Sequence, residues 1–366
     1  MAIKKPLIVG LGGVGGLLAV LLQELGMQVT ALDQRKPAHI PDGVAFKSGD
    51  VQNEKELAKI LTEHDAVISC LPFHLTLLLA EAAYKAAIPY FDPTEDVKTT
   101  EAVRKLAQSA RATMVPQCGL APGSIGIIGT YLASKFDEGT LRYLKLRVGA
   151  LPQNPTGQLG YAGNWSLAGL VHEYIADCDV IADSKRQRIP ALRNPEILRI
   201  DGMEYEAFTT SGGLGTMTET FSGKVETLDY KSIRYPGHLA GMKLLLEDLR
   251  FRDSPDELVK RLGYALPPDD EDRVLMHISA QGEIDGRMQN KTVIAQYDPL
   301  MIAGKKRPAI LWTTATSIAA VIQMASEGQL AQKGFVKQEE IPLPAFLKTK
   351  HGQLYLKHCP KLGDIE

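Results

Sequence analysis

The sequence predicts an α/β protein of two domains: a doubly wound parallel sheet, then an α+β domain built on a largely antiparallel sheet. Three observations predict it. A short apolar run, Pro6-Leu7-Ile8-Val9, passes directly into Gly10-Leu11-Gly12-Gly13-Val14-Gly15 and then an apolar helical stretch to Leu25. Strand-like and helix-like segments alternate up to about residue 124, as the βαβ units of a parallel sheet require. Beyond that point strand-like segments accumulate, with period-two patterning such as Leu144-Lys145-Leu146-Arg147-Val148.

In the first domain the buried strand 6–9 is followed by a helix over 16–25 that Gly26 closes, and by a second strand over 28–32 that ends on Asp33. Residues 45–49 read as a third strand. Asn53 has the chemistry of a helix cap, with Glu54 and Glu56 in the first turn of a helix over 53–61. Residues 66–71 form a buried strand stopped by Pro72, and 75–87 an apolar helix. A short strand over 89–93, a polar helix over 97–110 and a strand over 113–118 complete six strands with five connections. In such sheets ligands lie at the carboxyl ends of the strands. In the second domain, helices are expected at 124–134, 166–175 and 238–248, and strands at 144–148, 204–208, 223–228, 274–280 and 291–297. The Pro- and Asp-rich stretch 253–272 reads as surface. A helix over 313–327 carries Ile318, Val321, Ile322 and Ala325 on one face.

The first turn is Gly-x-Gly-x-x-Gly between a strand and a helix, with an acid at the tip of the next strand: the dinucleotide-binding arrangement of a Rossmann domain. Gly10 allows the tight turn, Gly12 lets a pyrophosphate approach the backbone, and Gly15 lets the helix pack on the strand. The helix N-terminus offers free N–H groups and a positive dipole to the phosphates, and Gly13 and Val14 of the turn are expected cofactor contacts as well. Asp33 accepts hydrogen bonds from the ribose hydroxyls, with Gln34 and Arg35 beside it. Asp50, Val51, Cys70, Leu71 and Pro72, after the third and fourth strands, complete the expected cofactor contacts. A 2′-phosphate about 4 Å from the Asp33 carboxylate would be repelled by several kcal/mol at an effective dielectric of about 20. Exposed Arg35 and Lys36 would return only about 0–1 kcal/mol each. NAD is therefore expected ahead of NADP.

The chain has 366 residues, 45% of them apolar, which suits two domains. A net charge of -2 gives no electrostatic case for nucleic acid or an anionic membrane. No apolar run reaches the roughly 20 residues of a bilayer span, and no secretory leader is evident. Cys70, Cys118, Cys178 and Cys359 are far apart, without metal-type spacing, and read as reduced thiols of a cytoplasmic protein. No metal is expected.

The boundaries follow: a dinucleotide-binding domain over 1–124, completed by about 330–366, and a substrate-binding and dimerisation domain over 125–329. Hydride transfer belongs to the cofactor, so the protein must position substrate and move protons. Asp229-Tyr230-Lys231-Ser232-Ile233-Arg234-Tyr235-Pro236-Gly237-His238 gathers the relevant chemistry in ten residues. His238, at a helix start, is the first candidate base, since a helix dipole lowers its pKa; the bland alternative is a packed or capping histidine. Arg234 suits bidentate binding of a carboxylate, against an ordinary ion pair. Tyr235 lies beside it. Ser211-Gly212-Gly213, a strand running into a glycine turn, offers a hydroxyl and N–H groups to the same carboxylate, against a plain tight turn. At the strand ends of the first domain, Asp92 is the second candidate base, against a turn aspartate. His74 is a candidate near the nicotinamide, against a helix-start residue. Cys118, next to a helix N-terminus that can depress its pKa, is a candidate substrate contact, against a packing residue.

Four segments together resemble the saccharopine dehydrogenase superfamily and, within it, the lysine 6-dehydrogenase branch. They are Gly10 to Gly15, Cys118-Gly119-Leu120-Ala121-Pro122-Gly123, Glu206-Ala207-Phe208-Thr209-Thr210-Ser211-Gly212-Gly213-Leu214, and Leu228 to His238. The glutamate-releasing members typically carry Gly-Leu-Asp-Pro-Gly at the sixth strand; here Ala121 replaces the acid. They also tend to end the fourth segment on Lys-Gly-Phe, where this chain has Pro236-Gly237-His238. The resemblance implies NAD-dependent oxidation of the side-chain amine of L-lysine to 2-aminoadipate 6-semialdehyde, which cyclises to a piperideine carboxylate, with release of ammonia. The sheet of the second domain is expected to form a homodimer interface. Saccharopine or carboxynorspermidine as substrate, and a non-catalytic NAD(H) sensor, are the alternatives.

Overall fold

The computed structural model describes residues 2–365. The chain runs β1 (Pro6–Val9), α1 (Gly13–Glu24), β2 (Thr30–Asp33), β3 (Ala45–Ser48), α2 (Glu54–Leu61), β4 (Ala66–Ser69), α3 (Phe73–Ala86), β5 (Tyr90–Phe91), α4 (Val97–Ala107), β6 (Thr113–Val115) and α5 (Ser124–Ala133). It continues through β7 (Tyr143–Pro152), α6 (Leu167–Ile175), β8 (Cys178–Ala182), β9 (Lys185–Ile189), β10 (Glu196–Ile200), β11 (Met203–Thr209), α7 (Met217–Thr220), β12 (Thr227–Arg234), α8 (His238–Lys243), α9 (Pro255–Ala265), β13 (Asp272–Ile284), β14 (Arg287–Tyr297), β15 (Leu300–Ile302) and β16 (Lys305–Arg307). It ends with α10 (Ala309–Ser326), β17 (Gly334–Phe335), α11 (Leu343–Lys348) and α12 (Gln353–His358).

Two compact units result. The first comprises residues 1–127 and 311–357, the second 128–310 and 358–366. The first boundary lies within a few residues of the expected one. The second corrects it: α10 was expected in the second domain, but belongs to the first unit from Leu311 on, while the last residues belong to the second. The reason is burial. Trp312, Ala315, Ile318, Ala319, Val321 and Ile322 are all 0% exposed, so α10 is a core helix on every side rather than an amphipathic one. By length and composition it would also suffice to cross a membrane, contrary to the expectation that no segment would; 72% of it is buried inside the fold.

The first unit is a seven-stranded sheet in the order β17-β6-β5-β4-β1-β2-β3, every pairing parallel. The central strands bury every side chain, as both faces of a doubly wound sheet demand. One side of the core gathers Leu7, Val9, Val67, Leu79, Ala83, Val103 and Met114. Asn53 caps α2 as expected, its side chain accepting from Glu56 N–H. The seventh strand, β17, extends the sheet beyond β6.

The second unit holds a sheet in the order β10-β11-β12-β7-β13-β14, with β8 and β9 branching from β12. Its pairings are antiparallel except β12 with β7, which is parallel. Two differences from the sequence reading matter. The strand expected at 223–228 lies at Thr227–Arg234 instead; polar and charged residues on both of its faces conceal the alternation. Residues 253–272 include α9, whose Leu258 and Leu262 are buried. Ser166 caps α6, accepting from Gly169 N–H. Asp272, fully buried, accepts from the N–H groups of Ala309 and Ile310 at the start of α10.

Candidate functional site

In the first unit the glycine turn is built by close approaches. Gly10 has φ +96° and donates its N–H to Leu32 O at 2.9 Å. A Cβ on Gly10 would lie 2.6 Å from Cys70 O, and one on Gly15 only 1.9 Å from Gly10 O. A Cβ on Gly12 would meet nothing within 4 Å. Gly10 and Gly15 thus fold the turn, while Gly12 leaves the approach to α1 open. No side chain caps α1, so its first N–H groups are available to an anion. Asp33 ties the turn to β2: Oδ2 accepts from Leu11 N–H at 2.8 Å and Oδ1 from Arg35 N–H at 3.2 Å.

A groove of about 340 Å³ opens here. Of the expected cofactor residues, Gly10, Gly12, Asp33, Gln34, Val51, Cys70, Leu71 and Pro72 line it. Gly13, Val14, Gly15, Arg35 and Asp50 do not. Gly13 sits under Leu311, Arg35 is exposed, and Asp50 Oδ1 accepts from Gln52 N–H in the turn before α2. The reading missed Val9, Leu32, Gly49 and Leu75, which supply apolar or flat wall. Their signal is position at or after a strand end. An open glycine, an uncapped helix start and a carboxylate at the second strand tip fit an adenine dinucleotide.

At the carboxyl ends of β4 to β6 the groups are buried and polar. Asp92 is 0% exposed. Its Oδ1 accepts from Thr94 N–H at 2.7 Å and more weakly from Gln117 N–H, whereas Oδ2 has no hydrogen-bond partner. Burial pushes the carboxyl up to about 6, against the Thr94 N–H, the Tyr90 hydroxyl and the Gln117 N–H, each of which lowers it. Cys118 corrects an expectation. Its N–H and thiol both donate to Asp92 O, at 3.0 and 3.2 Å, and burial pushes the thiol well above its ordinary range rather than below it. It is a buried packing residue that holds the chain at Asp92. His74 is exposed in the first turn of α3, edge-on to Phe73.

In the second unit Arg234, 4% exposed, lies among aromatic rings. Its guanidinium carbon is 5.0 Å from the Tyr161 ring centre and 5.8 Å from that of Tyr174. Nε donates to the Tyr174 hydroxyl at 2.8 Å and Nη1 to Ile233 O at 2.8 Å; among the described residues no carboxylate is hydrogen-bonded to it, and Glu173 acts on it through its charge alone. Trp165 Nε1 donates to the Tyr161 hydroxyl at 2.5 Å. Tyr161 and Tyr174 were not singled out in the sequence. They come from two other segments, and nothing in their spacing announces an arginine between them.

Three expectations are corrected here. His238 is 1% exposed, with Nδ1 2.7 Å from Leu159 O and Nε2 3.0 Å from the Tyr174 hydroxyl. Burial, followed by the nearby Arg234 charge, holds it down at about 3. Both ring nitrogens are engaged in hydrogen bonds, so neither is open to a substrate proton in this arrangement. Tyr235 donates to Pro152 O at 2.8 Å and packs with Leu151, Tyr205 and Ile233 in a separate apolar cluster. The Ser211 turn is committed to structure: its N–H donates to Glu173 O, its hydroxyl donates to Asp177 O, and a Cβ on Gly213 would lie 2.4 Å from the Tyr230 ring. Gly212, at φ +88°, supplies the bend.

Among the described residues no group of three or more His, Cys, Asp or Glu is placed to hold a metal ion. Two family models match the chain: the saccharopine dehydrogenase NADP binding domain over residues 7–115 and the saccharopine dehydrogenase C-terminal domain over 119–353. Among solved structures, the chain is similar to the apo, histidine-tagged saccharopine dehydrogenase (L-Glu forming) from Saccharomyces cerevisiae, with TM-score 0.74 and 17% identity over 95% of this chain and 98% of that one. A probable dehydrogenase from Thermotoga maritima aligns with TM-score 0.46 and 12% identity, over 99% of this chain and 100% of that one. The two family models, which together span most of the chain, lead to one statement: the chain belongs to the saccharopine dehydrogenase family and is an NAD(P)-binding oxidoreductase.

Proposed function

We propose that the protein oxidises the side-chain primary amine of L-lysine with NAD, yielding 2-aminoadipate 6-semialdehyde, which cyclises to a piperideine carboxylate, and ammonia. The observation that carries this reading is Arg234. A guanidinium buried without a hydrogen-bonded carboxylate is costly unless a ligand completes its bonds, and an amino-acid carboxylate does so with two parallel hydrogen bonds. Asp92 takes the base role that His238 cannot fill. Its Oδ2 accepts no hydrogen bond of normal geometry, with the Tyr90 hydroxyl its polar neighbour, and a carboxyl at about 6 is ionised at neutral pH yet basic enough to accept a proton. An ammonium cannot readily release hydride, so Asp92 first removes its proton. A dinucleotide held by the Gly10–Gly15 turn and Asp33 would supply the acceptor for the hydride of the amine-bearing carbon. Water then adds to the resulting imine and ammonia leaves.

Asp33, lining the groove, supports NAD by repelling a 2′-phosphate. Ala121, where glutamate-releasing relatives carry an acid, supports a primary amine over saccharopine or carboxynorspermidine. The test is NADH appearance at alkaline pH with L-lysine, saccharopine or carboxynorspermidine as the only amine. Turnover of lysine alone is expected. Turnover of a secondary amine in its place, or tight NAD binding without turnover of any amine, overturns the proposal.

A further inference from the structure

A single file of hydrogen bonds runs behind the Arg234 guanidinium, and its polarity can be assigned from the acceptor at its end. The Leu159 carbonyl can only accept, so His238 Nδ1 carries a hydrogen and donates to it at 2.7 Å. In a neutral imidazole the other nitrogen, Nε2, then has a lone pair and accepts from the Tyr174 hydroxyl at 3.0 Å. With its own hydrogen so placed, the Tyr174 oxygen is free to accept from Arg234 Nε at 2.8 Å. The order is Arg234 to Tyr174 to His238 to Leu159, each group donating to the next.

We infer that Tyr174 and His238 are positioning residues that fix the rotation of Arg234, so that only its Nη1 and Nη2 end meets the substrate carboxylate. Of the five guanidinium hydrogens, Nε–H is held by Tyr174 and one on Nη1 by the Ile233 carbonyl. One hydrogen on Nη1 and two on Nη2 remain, the set that grips a carboxylate end-on. The Tyr161 ring, 5.0 Å from the guanidinium carbon and 5.5 Å from the His238 ring centre, supports both groups from the side. Burial beside Arg234 keeps the imidazole neutral, which the file requires; a protonated His238 would point a second donor at Tyr174 and break the order.

The inference rests on reading Arg234 as the carboxylate clamp, and two measurements separate the failure of one from the failure of the other. Isotope-edited NMR of the histidine side chains reports the tautomer without any substrate. His238 is expected neutral with its hydrogen on Nδ1, and the shift of Nε2 is expected to move in Tyr174→Phe; a hydrogen on Nε2 overturns the file. Steady-state kinetics report its consequence. Tyr174→Phe is expected to raise KM for L-lysine about tenfold, with kcat within about twofold and NAD affinity unchanged. His238→Leu raises KM similarly, the double variant is no worse than either alone because both cut one chain, and His238→Gln, which restores an acceptor amide, recovers most of the loss. If Arg234→Ala raises KM and Tyr174→Phe does not, the positioning role is overturned. If Arg234→Ala leaves KM unchanged, the clamp itself is overturned.

Discussion

In the first unit the groups placed to receive a ligand's charge are backbone N–H groups, uncovered because Gly12 has no side chain and α1 has no cap. In the second, the group proposed for that task is one arginine, 4% exposed, with two tyrosine rings against it and a hydroxyl on its Nε. The first arrangement is local: Gly10 to Gly15 and Asp33 fall within one strand-turn-helix-strand passage. The second draws Tyr161, Tyr174 and Arg234 from segments more than ten residues apart. The contrast teaches how each site tolerates change. A backbone site is broken by adding atoms, a side-chain site by removing them.

The sharpest test of the contrast concerns the buried acid. Asp92→Asn removes the proposed proton acceptor and is expected to lower kcat about a thousandfold. The wild-type rate should climb as pH rises through about 6, where the carboxyl ionises, and this limb should vanish in the variant. A pH–rate profile checks both. Arg234→Ala follows in size: loss of charge-assisted hydrogen bonds should raise KM for L-lysine about a hundredfold, with NAD affinity measured by calorimetry unchanged. Then come the glycines. Gly12→Ala places a methyl in open space, so the melting temperature should hold while NAD affinity falls about tenfold. Gly15→Ala collides with Gly10 O and should lower both. Equal behaviour of the two glycine variants would erase the distinction between folding glycine and ligand-facing glycine.

The smallest effect is a pair of opposing pH slopes. His238, held at about 3, stays neutral in the folded protein while the unfolded chain takes up a proton near its ordinary value, so it costs stability as pH falls below about 6.5. Asp92 and Asp272, pushed up to about 6, bind protons in the folded protein before they do in the unfolded chain, so each adds stability as pH falls from about 6 toward 4 and loses it as pH rises. Each contributes a slope of at most about 1.4 kcal/mol per pH unit. Relative to Asp92→Asn, wild type should therefore gain stability between pH 7 and pH 5. Parallel melting curves for the two proteins would refute it.

The first unit was legible because its signals are short-range. A strand, a glycine turn, a helix and an acid at the next strand tip are adjacent in the chain, and most expected contacts line the groove. What escaped there was apolar wall such as Leu32 and Leu75, chemically indistinguishable from core. In the second unit Arg234 was legible as a residue type, but its surroundings were not. His238 looked like a base because the sequence shows a helix start and hides the burial that outweighs it. Tyr235 stood next to Arg234 in the chain, yet it packs in a different cluster. Ser211 and its glycines looked like an anion cradle because a turn that binds and a turn that merely bends have the same composition. The boundary at α10 was misplaced for a related reason: a helix buried on every side gives no face to read.

The split of the first unit has a consequence for biosynthesis. Most of its core helix α10 and its edge strand β17 are encoded after residues 128–310 of the second unit. When the ribosome has made the first 300 residues or so, six strands exist but β6 has no outer neighbour and the pocket for Trp312 has no occupant. Such an intermediate offers an unpaired strand and bare apolar surface to its own kind. The intervening segment must therefore collapse on its own before the nucleotide half can close, and chaperone dependence should peak late in translation.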